Sequence, residues 1–187
     1  MRGLRRGAFS RRAAWAAAAL LVLAACAAPP VGAYRDRSVT MSSAAVFDPA
    51  RYAGRWYEIA RYPVPFQAGC TDTVADYAVR EDGTLGVVNA CLRDGAPRRI
   101  EGEARVTGPG RLEVSLDGVP FVAAPYWVLW VSEDYRSAVV GVPSGRAGWI
   151  LHRDPVMPAD RLKAARDVLA FNGYDLDRLV MTPQSAR

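Results

Sequence analysis

The chain has 187 residues, enough for one domain with a substantial core, and 24 Lys+Arg against 19 Asp+Glu give it a formal charge of +5. The excess is local: Arg2, Arg5, Arg6, Arg11 and Arg12 precede an apolar run from Ala13 to Ala25, and the 162 residues after that run carry 19 charges of each sign. A neutral domain with no basic run among aromatics lacks the footprint of a nucleic-acid binder, and a single histidine without a cysteine cluster excludes a recognisable zinc site.

The apolar run is about 13 residues long, too short for a comfortable membrane span and right for a secretory leader. It ends in Leu23-Ala24-Ala25-Cys26, which resembles a bacterial lipobox. That resemblance implies cleavage before Cys26 and acylation of its thiol and amine. The alternative is an ordinary secretory leader cut nearby, with Cys26 a bystander. Ala27, where an aspartate would retain an enteric lipoprotein at the inner membrane, implies the outer membrane, with the periplasmic face as default. Residues 1–25 therefore read as a lipoprotein signal peptide. Residues 26–46, rich in Ala, Pro, Ser and Arg, read as a lipidated tether, and residues 47–187 as one domain without internal repeats.

From Tyr52 onward the pattern is short β-rich runs with turn punctuation, the spacing of an all-β barrel or sandwich. Strands are expected near 54–62, 72–80, 84–93, 98–107, 111–117, 126–132, 136–142 and 147–153. Glu81-Asp82-Gly83-Thr84 and Thr107-Gly108-Pro109-Gly110 are hairpin signals, and Pro143-Ser144-Gly145 closes the seventh run. After Arg153, Asp154-Pro155 breaks the strand. Pro158 suits a first helical turn and Asp160 a helix N-terminus. Leu162, Ala165 and Leu169 form one apolar helical face, with Ala164 and Val168 beside it, and Asn172-Gly173 is the stop. Leu179 to Thr182 reads as a short ninth strand. Eight strands of this length can close around one small ligand.

Three pieces of sequence add a family likeness. Gly54-Arg55-Trp56 opens the first strand, Asp134-Tyr135 sits in a turn between two apolar runs, and Arg153 ends Trp149-Ile150-Leu151-His152-Arg153. In this order the chain resembles the lipocalins, and is similar to the bacterial outer-membrane lipoprotein lipocalins and to apolipoprotein D, from about Phe47 to Gln184. The resemblance implies an eight-stranded antiparallel up-and-down barrel, one C-terminal helix packed outside it and a short last strand. It also implies that Trp56 plugs the closed end with the Arg153 guanidinium on its face, a contact of about 0.5–2 kcal/mol.

Cys70 and Cys91 remain for a compartment that permits disulfides, and their pairing is the first expectation. With Asp82-Gly83 as the turn, Cys91 falls opposite Val74, so the segment before Thr73 has to fold back over the strand. A free buried thiol is the alternative, and with a lowered pKa it would permit thiol chemistry.

Along the third strand, alternation puts Val87, Asn89, Cys91 and Arg93 on one face. By the resemblance, Tyr77, Asn89, Arg93, Leu116, Tyr126 and Trp149 line a pocket for an amphipathic ligand, with Arg93 suited to a carboxylate or phosphate near the mouth. These aromatics could instead fill a narrow barrel. Glu58, by alternation with Trp56, points inward as a polar handle or a partner for an arginine. Phe66 lies in the open-end loop, as part of a lid, a membrane contact or an ordinary anchor. His152-Arg153-Asp154 lacks the partners of a kinase loop, and Ser144 lacks the spacing of a nucleophile elbow. The expectation is a lipid-anchored binding protein for a fatty acid or lysophospholipid, without cofactor, metal or nucleic acid and with open oligomeric state. The alternatives are a barrel enzyme acting on a lipid or isoprenoid, and a structural envelope protein with a filled barrel.

Overall fold

The computed structural model describes residues 32–118 and 123–185. Residues 1–31, with the leader and Cys26, lie outside the described part. A short helix α1 (Pro49–Tyr52) precedes the barrel. Asp48 caps it, its carboxylate accepting from the Ala50 and Arg51 N–H groups. The strands are β1 (Gly54–Arg61), β2 (Cys70–Val79), β3 (Leu85–Arg93), β4 (Ala96–Gly108), β5 (Arg111–Leu116), β6 (Ala123–Val131), β7 (Ser137–Gly141) and β8 (Gly148–His152). Helix α2 (Ala159–Phe171) and the two-residue β9 (Val180–Met181) follow.

Each of β2 to β7 pairs antiparallel with the next, β8 pairs with β1, and β1 closes the ring on β2 through Gly54 to Tyr57. The eight strands are therefore a closed up-and-down barrel, with β9 added outside on Ala60 and Arg61. Alternation sorts the apolar side chains into two clusters. Trp56, Tyr77, Leu85, Val87, Leu112, Val128 and Leu151 fill the inside. Ile59, Leu129, Val139 and Ile150 face outward and are covered by Ala165 and Leu169 of α2. Leu162 and Val168 pack at the edge of that seam, whereas Ala164 is exposed, one residue off the apolar stripe.

Two features depart from the sequence expectation. The β2–β3 register places Val74 opposite Ala90, one residue from the position expected for a two-residue turn. The cause is a longer turn, in which the Arg80 N–H donates to the Thr84 carbonyl (2.8 Å). A bulge at Asp72, whose φ is +50°, then shifts Cys70 opposite Arg93. This brings Cys70 and Cys91 to a Cα separation of 5.6 Å, and they form a disulfide.

The second departure is the segment from residue 33 to 46, which packs on the barrel instead of hanging free. Tyr34 and Arg35 are buried, and Arg35 bridges to Tyr174 and donates to the carbonyls of Asn172 (3.0 Å) and Pro143 (3.2 Å). An arginine in an Ala/Ser-rich stretch reads as solvated. Here the Asn172 carbonyl at the end of α2 and the Pro143 carbonyl of the β7–β8 turn accept its guanidinium.

Candidate functional site

The closed end is built around Arg153. Its guanidinium carbon lies 3.8 Å from the Trp56 ring centroid. The same group donates to the carbonyls of Arg51 (2.9 Å), Tyr52 (3.2 Å), Ala53 (2.9 Å), Arg55 (2.8 Å) and Tyr135 (3.1 Å). One side chain thus ties α1, the start of β1 and the β6–β7 turn together. Gly54 is required beneath it, because φ is +95° and a Cβ would stand 3.2 Å from Nη1 of Arg153. Trp56 is fully buried, and its indole N–H donates to the Tyr52 carbonyl (2.8 Å). Tyr135 accepts from the Asp48 N–H (2.9 Å), and Arg51 covers its ring at 4.1 Å. Asp134 accepts from Arg161 of α2 (2.6 and 3.1 Å) and from the Ser132 hydroxyl (2.6 Å). Those bonds hold its carboxyl well below the usual carboxylate range.

Above this plug, three of the six expected lining residues form one continuous wall. Tyr77 is 5% exposed and lies on the floor, 5.2 Å from the Tyr52 ring. The Tyr126 hydroxyl is 2.8 Å from that of Tyr77 and 3.1 Å from that of Tyr52. Burial pushes the Tyr77 hydroxyl up to about 12 and those of Tyr52 and Tyr126 well above the ordinary value. All three stay neutral donors and acceptors. Trp149 stacks on Tyr126 at 6.1 Å and carries the wall towards the mouth.

Asn89, opposite Ala75 and Ile100, and Leu116, opposite Gly102, are half-buried on inward faces. Arg93 stands apart at the rim. It donates to the Phe66 carbonyl, and so ties β3 to the loop after β1. The side chains thus grade from fully buried at the floor (Trp56, Leu85, Leu112, Val128) to half-buried higher up (Asn89, Val114, Leu116, Tyr126, Trp149).

The inward Glu58 has the arginine partner expected of it, but sequence reasoning named neither Arg61 as that partner nor the Gln67 and Thr182 that complete the cluster shaping the mouth. Glu58 is 3% exposed and accepts from Arg61 (2.8 Å), the Thr182 hydroxyl (2.6 Å) and the Gln67 amide (2.7 Å). Gln67 also accepts from the Trp149 indole (3.0 Å). The loop 62–69 is therefore fastened to the barrel wall at β1 and β8 through Gln67. The Gln184 amide donates to the carbonyls of Glu58 (2.9 Å) and Thr73 (3.0 Å), filling the gap where β1 leaves β2. Strict alternation puts Arg61 on the face opposite Glu58. A bulge between Glu58 and Ala60 reverses it, and no local signal announces that bulge.

One cluster outside the barrel resembles a hydrolytic triad. Ser137 Oγ is 2.9 Å from His152 Nδ1, and His152 Nε2 is 3.7 Å from Asp154. Ser137 has no exposed surface and His152 only 1%, both lying under α2, so no substrate reaches the hydroxyl. Among the described residues no group of three His, Cys, Asp or Glu side chains is placed to hold a metal ion.

A family model described as a lipocalin-like domain matches residues 47–184. Temperature-induced lipocalin-1 of Arabidopsis thaliana is 39% identical over 145 residues, covering 72% of this chain and 78% of the relative. Apolipoprotein D of Macaca fascicularis is 34% identical over 151 residues, covering 74% and 77%. Outer membrane lipoprotein Blc of Escherichia coli K12 is 34% identical over 174 residues, covering 90% of this chain and 94% of the relative. Among solved structures, insecticyanin from the tobacco hornworm Manduca sexta superposes with a TM-score of 0.65 at 19% identity, over 82% and 88% of the two chains, a likeness of fold alone. The closed eight-stranded barrel, its Arg153-capped end and these matches converge: the chain belongs to the lipocalin family, whose members bind small hydrophobic ligands.

Proposed function

We propose that this chain is a lipid-anchored lipocalin of the cell envelope that stores or carries a fatty acid or lysophospholipid, with the alkyl chain in the barrel. The observation that carries the reading is the gradient inside the barrel. Side chains are fully buried at the floor and half-buried above it, and the half-buried set is aromatic, aliphatic and amide. At roughly 25 cal/mol per Å² of apolar surface, burying a dozen methylenes contributes several kcal/mol net of ordering costs, a micromolar dissociation constant. Tyr77, Tyr126, Trp149, Leu116 and Asn89 contact the ligand in this reading, and Arg93 meets its carboxylate or phosphate at the rim.

Acylation at Cys26 and placement on the periplasmic side of the outer membrane belong to the same reading. They are supported by the lipobox-like Leu23-Ala24-Ala25-Cys26 and by the Blc likeness. That match leaves about a tenth of this chain unmatched, fewer residues than precede Cys26, so it takes in the lipobox region.

Native mass spectrometry before and after delipidation, then after incubation with a total lipid extract, tests the binding reading. A discrete adduct of one acyl-lipid mass is expected. A folded protein that takes up no lipid in either state sinks it.

A further inference from the structure

The place where the chain reaches the barrel bears on which end meets a membrane. Tyr34 is the first buried side chain of the described segment. Its N–H donates to the Gly145 carbonyl (2.6 Å), its carbonyl accepts from the Asp175 N–H (2.8 Å), and its hydroxyl donates to the Pro63 carbonyl (2.6 Å). Its ring packs 5.0 Å from Tyr62, with the Arg178 guanidinium 4.3 Å from its centroid. Pro63 follows β1, Gly145 lies in the β7–β8 turn and Asp175 follows α2, so all three partners are at the open end. From there the segment runs down the outside, with the Ala44 N–H on the Val128 carbonyl (2.8 Å), to the closed end where Asp48 meets Tyr135. The chain arrives at the mouth, not at the plug.

The same end carries exposed apolar groups of a particular kind. Phe66 is 62% exposed in the loop after β1, Phe171 74% at the end of α2, and Val180 and Met181 40% and 53% on β9. At the closed end, the large exposed hydrophobics among the described residues are all valines: Val46, Val79, Val106 and Val156. Aromatic rings are favoured at the headgroup–acyl boundary, and the exposed rings among the described residues, Phe66 and Phe171, are both at the mouth, where Val180 and Met181 add apolar surface. Cys26 precedes Ala33 by seven residues, which extend at most about 25 Å. The closed end is a further strand length away, about 30 Å for a nine-residue strand.

We propose that the mouth rim formed by Phe66, Phe171, Val180 and Met181 rests on the bilayer that carries the N-terminal lipid. The ligand then passes between bilayer and barrel without crossing water. The inference rests on acylation of Cys26, as in the reading above, and adds an orientation to it.

The test uses the full acylated chain in phosphatidylethanolamine–phosphatidylglycerol vesicles, labelled biosynthetically with 4-fluorophenylalanine. The mass of the N-terminal fragment is read first, and an unmodified Cys26 removes the proposal while leaving the binding reading to its own adduct test. With acylation present, spin-labelled lipid should broaden the fluorine signals of Phe66 and Phe171 and spare Phe47, which packs against Tyr52 at the closed end (5.1 Å). Broadening of Phe47, or of none of the three, overturns the orientation. A double variant Phe66→Ser, Phe171→Ser changes only exposed side chains. Transfer of a fluorescent fatty acid from the vesicles should slow about tenfold, with affinity in solution unchanged. Transfer at the wild-type rate overturns the direct route.

Discussion

Replacing Arg153 by methionine keeps the side-chain length and removes the charge and its donors. The wild-type guanidinium sits 3.8 Å from the Trp56 centroid and serves five backbone carbonyls at 2.8–3.2 Å. At a half-buried site the cation–ring contact contributes about 1 kcal/mol. Hydrogen bonds from a charged group add about 1.5–3 kcal/mol each when taken singly, but five bonds from one guanidinium share its charge and are not additive. A loss of about 3–4 kcal/mol follows, or roughly 6–15 °C in Tm for a domain of this size. Arg153→Lys retains a cation over the indole but not the planar fork, and should lose about two-thirds of that amount. Urea unfolding of the leaderless chain, followed by tryptophan fluorescence, measures both. The closed-end reasoning fails if Arg153→Lys is as stable as wild type, because the fork would then be irrelevant. It fails equally if Arg153→Met lies within 1 kcal/mol of wild type.

Burial raises five of the eight tyrosines, Tyr52, Tyr62, Tyr77, Tyr126 and Tyr174. Absorbance at about 295 nm should therefore show most of the phenols still protonated at pH 11 in the folded protein and all titrating near the ordinary value of about 10 in urea; ionisation of all eight in the folded state contradicts the buried floor. Burial also pushes the His152 imidazole below its ordinary value. Below about pH 6.5 the unfolded chain then binds a proton that the folded chain does not, so stability falls as pH drops through that value and levels off under the folded pKa. His152→Asn should flatten that part of the stability–pH curve, and an unchanged slope would assign it to another group. Glu58→Ala strands Arg61, whose side chain is 12% exposed, and should cost about 3–5 kcal/mol. Glu58→Gln should cost less in the same urea assay, and equal losses would mean that charge pairing is not what holds the mouth.

The barrel was legible because each strand has one face in the core and turn residues at its ends. Period and punctuation were enough to place all eight strands and the helix within a few residues. What stayed hidden has a common cause. The bulge between Glu58 and Ala60 turns Arg61 onto the carboxylate, and the bulge at Asp72 brings Cys70 and Cys91 within bonding distance. Each adds one residue to one strand, which leaves the local pattern plausible and exchanges faces beyond it. Pro125 and Pro97 hid strand ends for another reason. Proline lacks the N–H that a strand needs, yet β6 and β4 accommodate it near their first residues. Tyr34 and Arg35 were read as tether because their partners, Gly145, Asn172 and Asp175, lie more than a hundred residues away.

The two ends of the barrel do different work, and the family likeness bears on them unequally. Gly54, Trp56, Asp134, Tyr135 and Arg153, the residues that carried the likeness in sequence, all sit at the closed end. Their bonds run mostly to backbone carbonyls and to one another, so they close the barrel whatever side chains line it. At the other end Gln67, Trp149, Glu58 and Arg61 meet side chain to side chain. A single substitution there changes the shape and polarity of the mouth without disturbing closure. The same signature can thus sit under many different mouths. In the upper half of the barrel the Glu58 carboxylate pairs with Arg61, whereas the Arg93 cation has no ion-pair partner among the described residues. Under the binding reading proposed above, an amphiphile with an anionic head would meet the Arg93 cation at that rim and aromatic and aliphatic walls below it, and a cationic head would meet the same charge as repulsion.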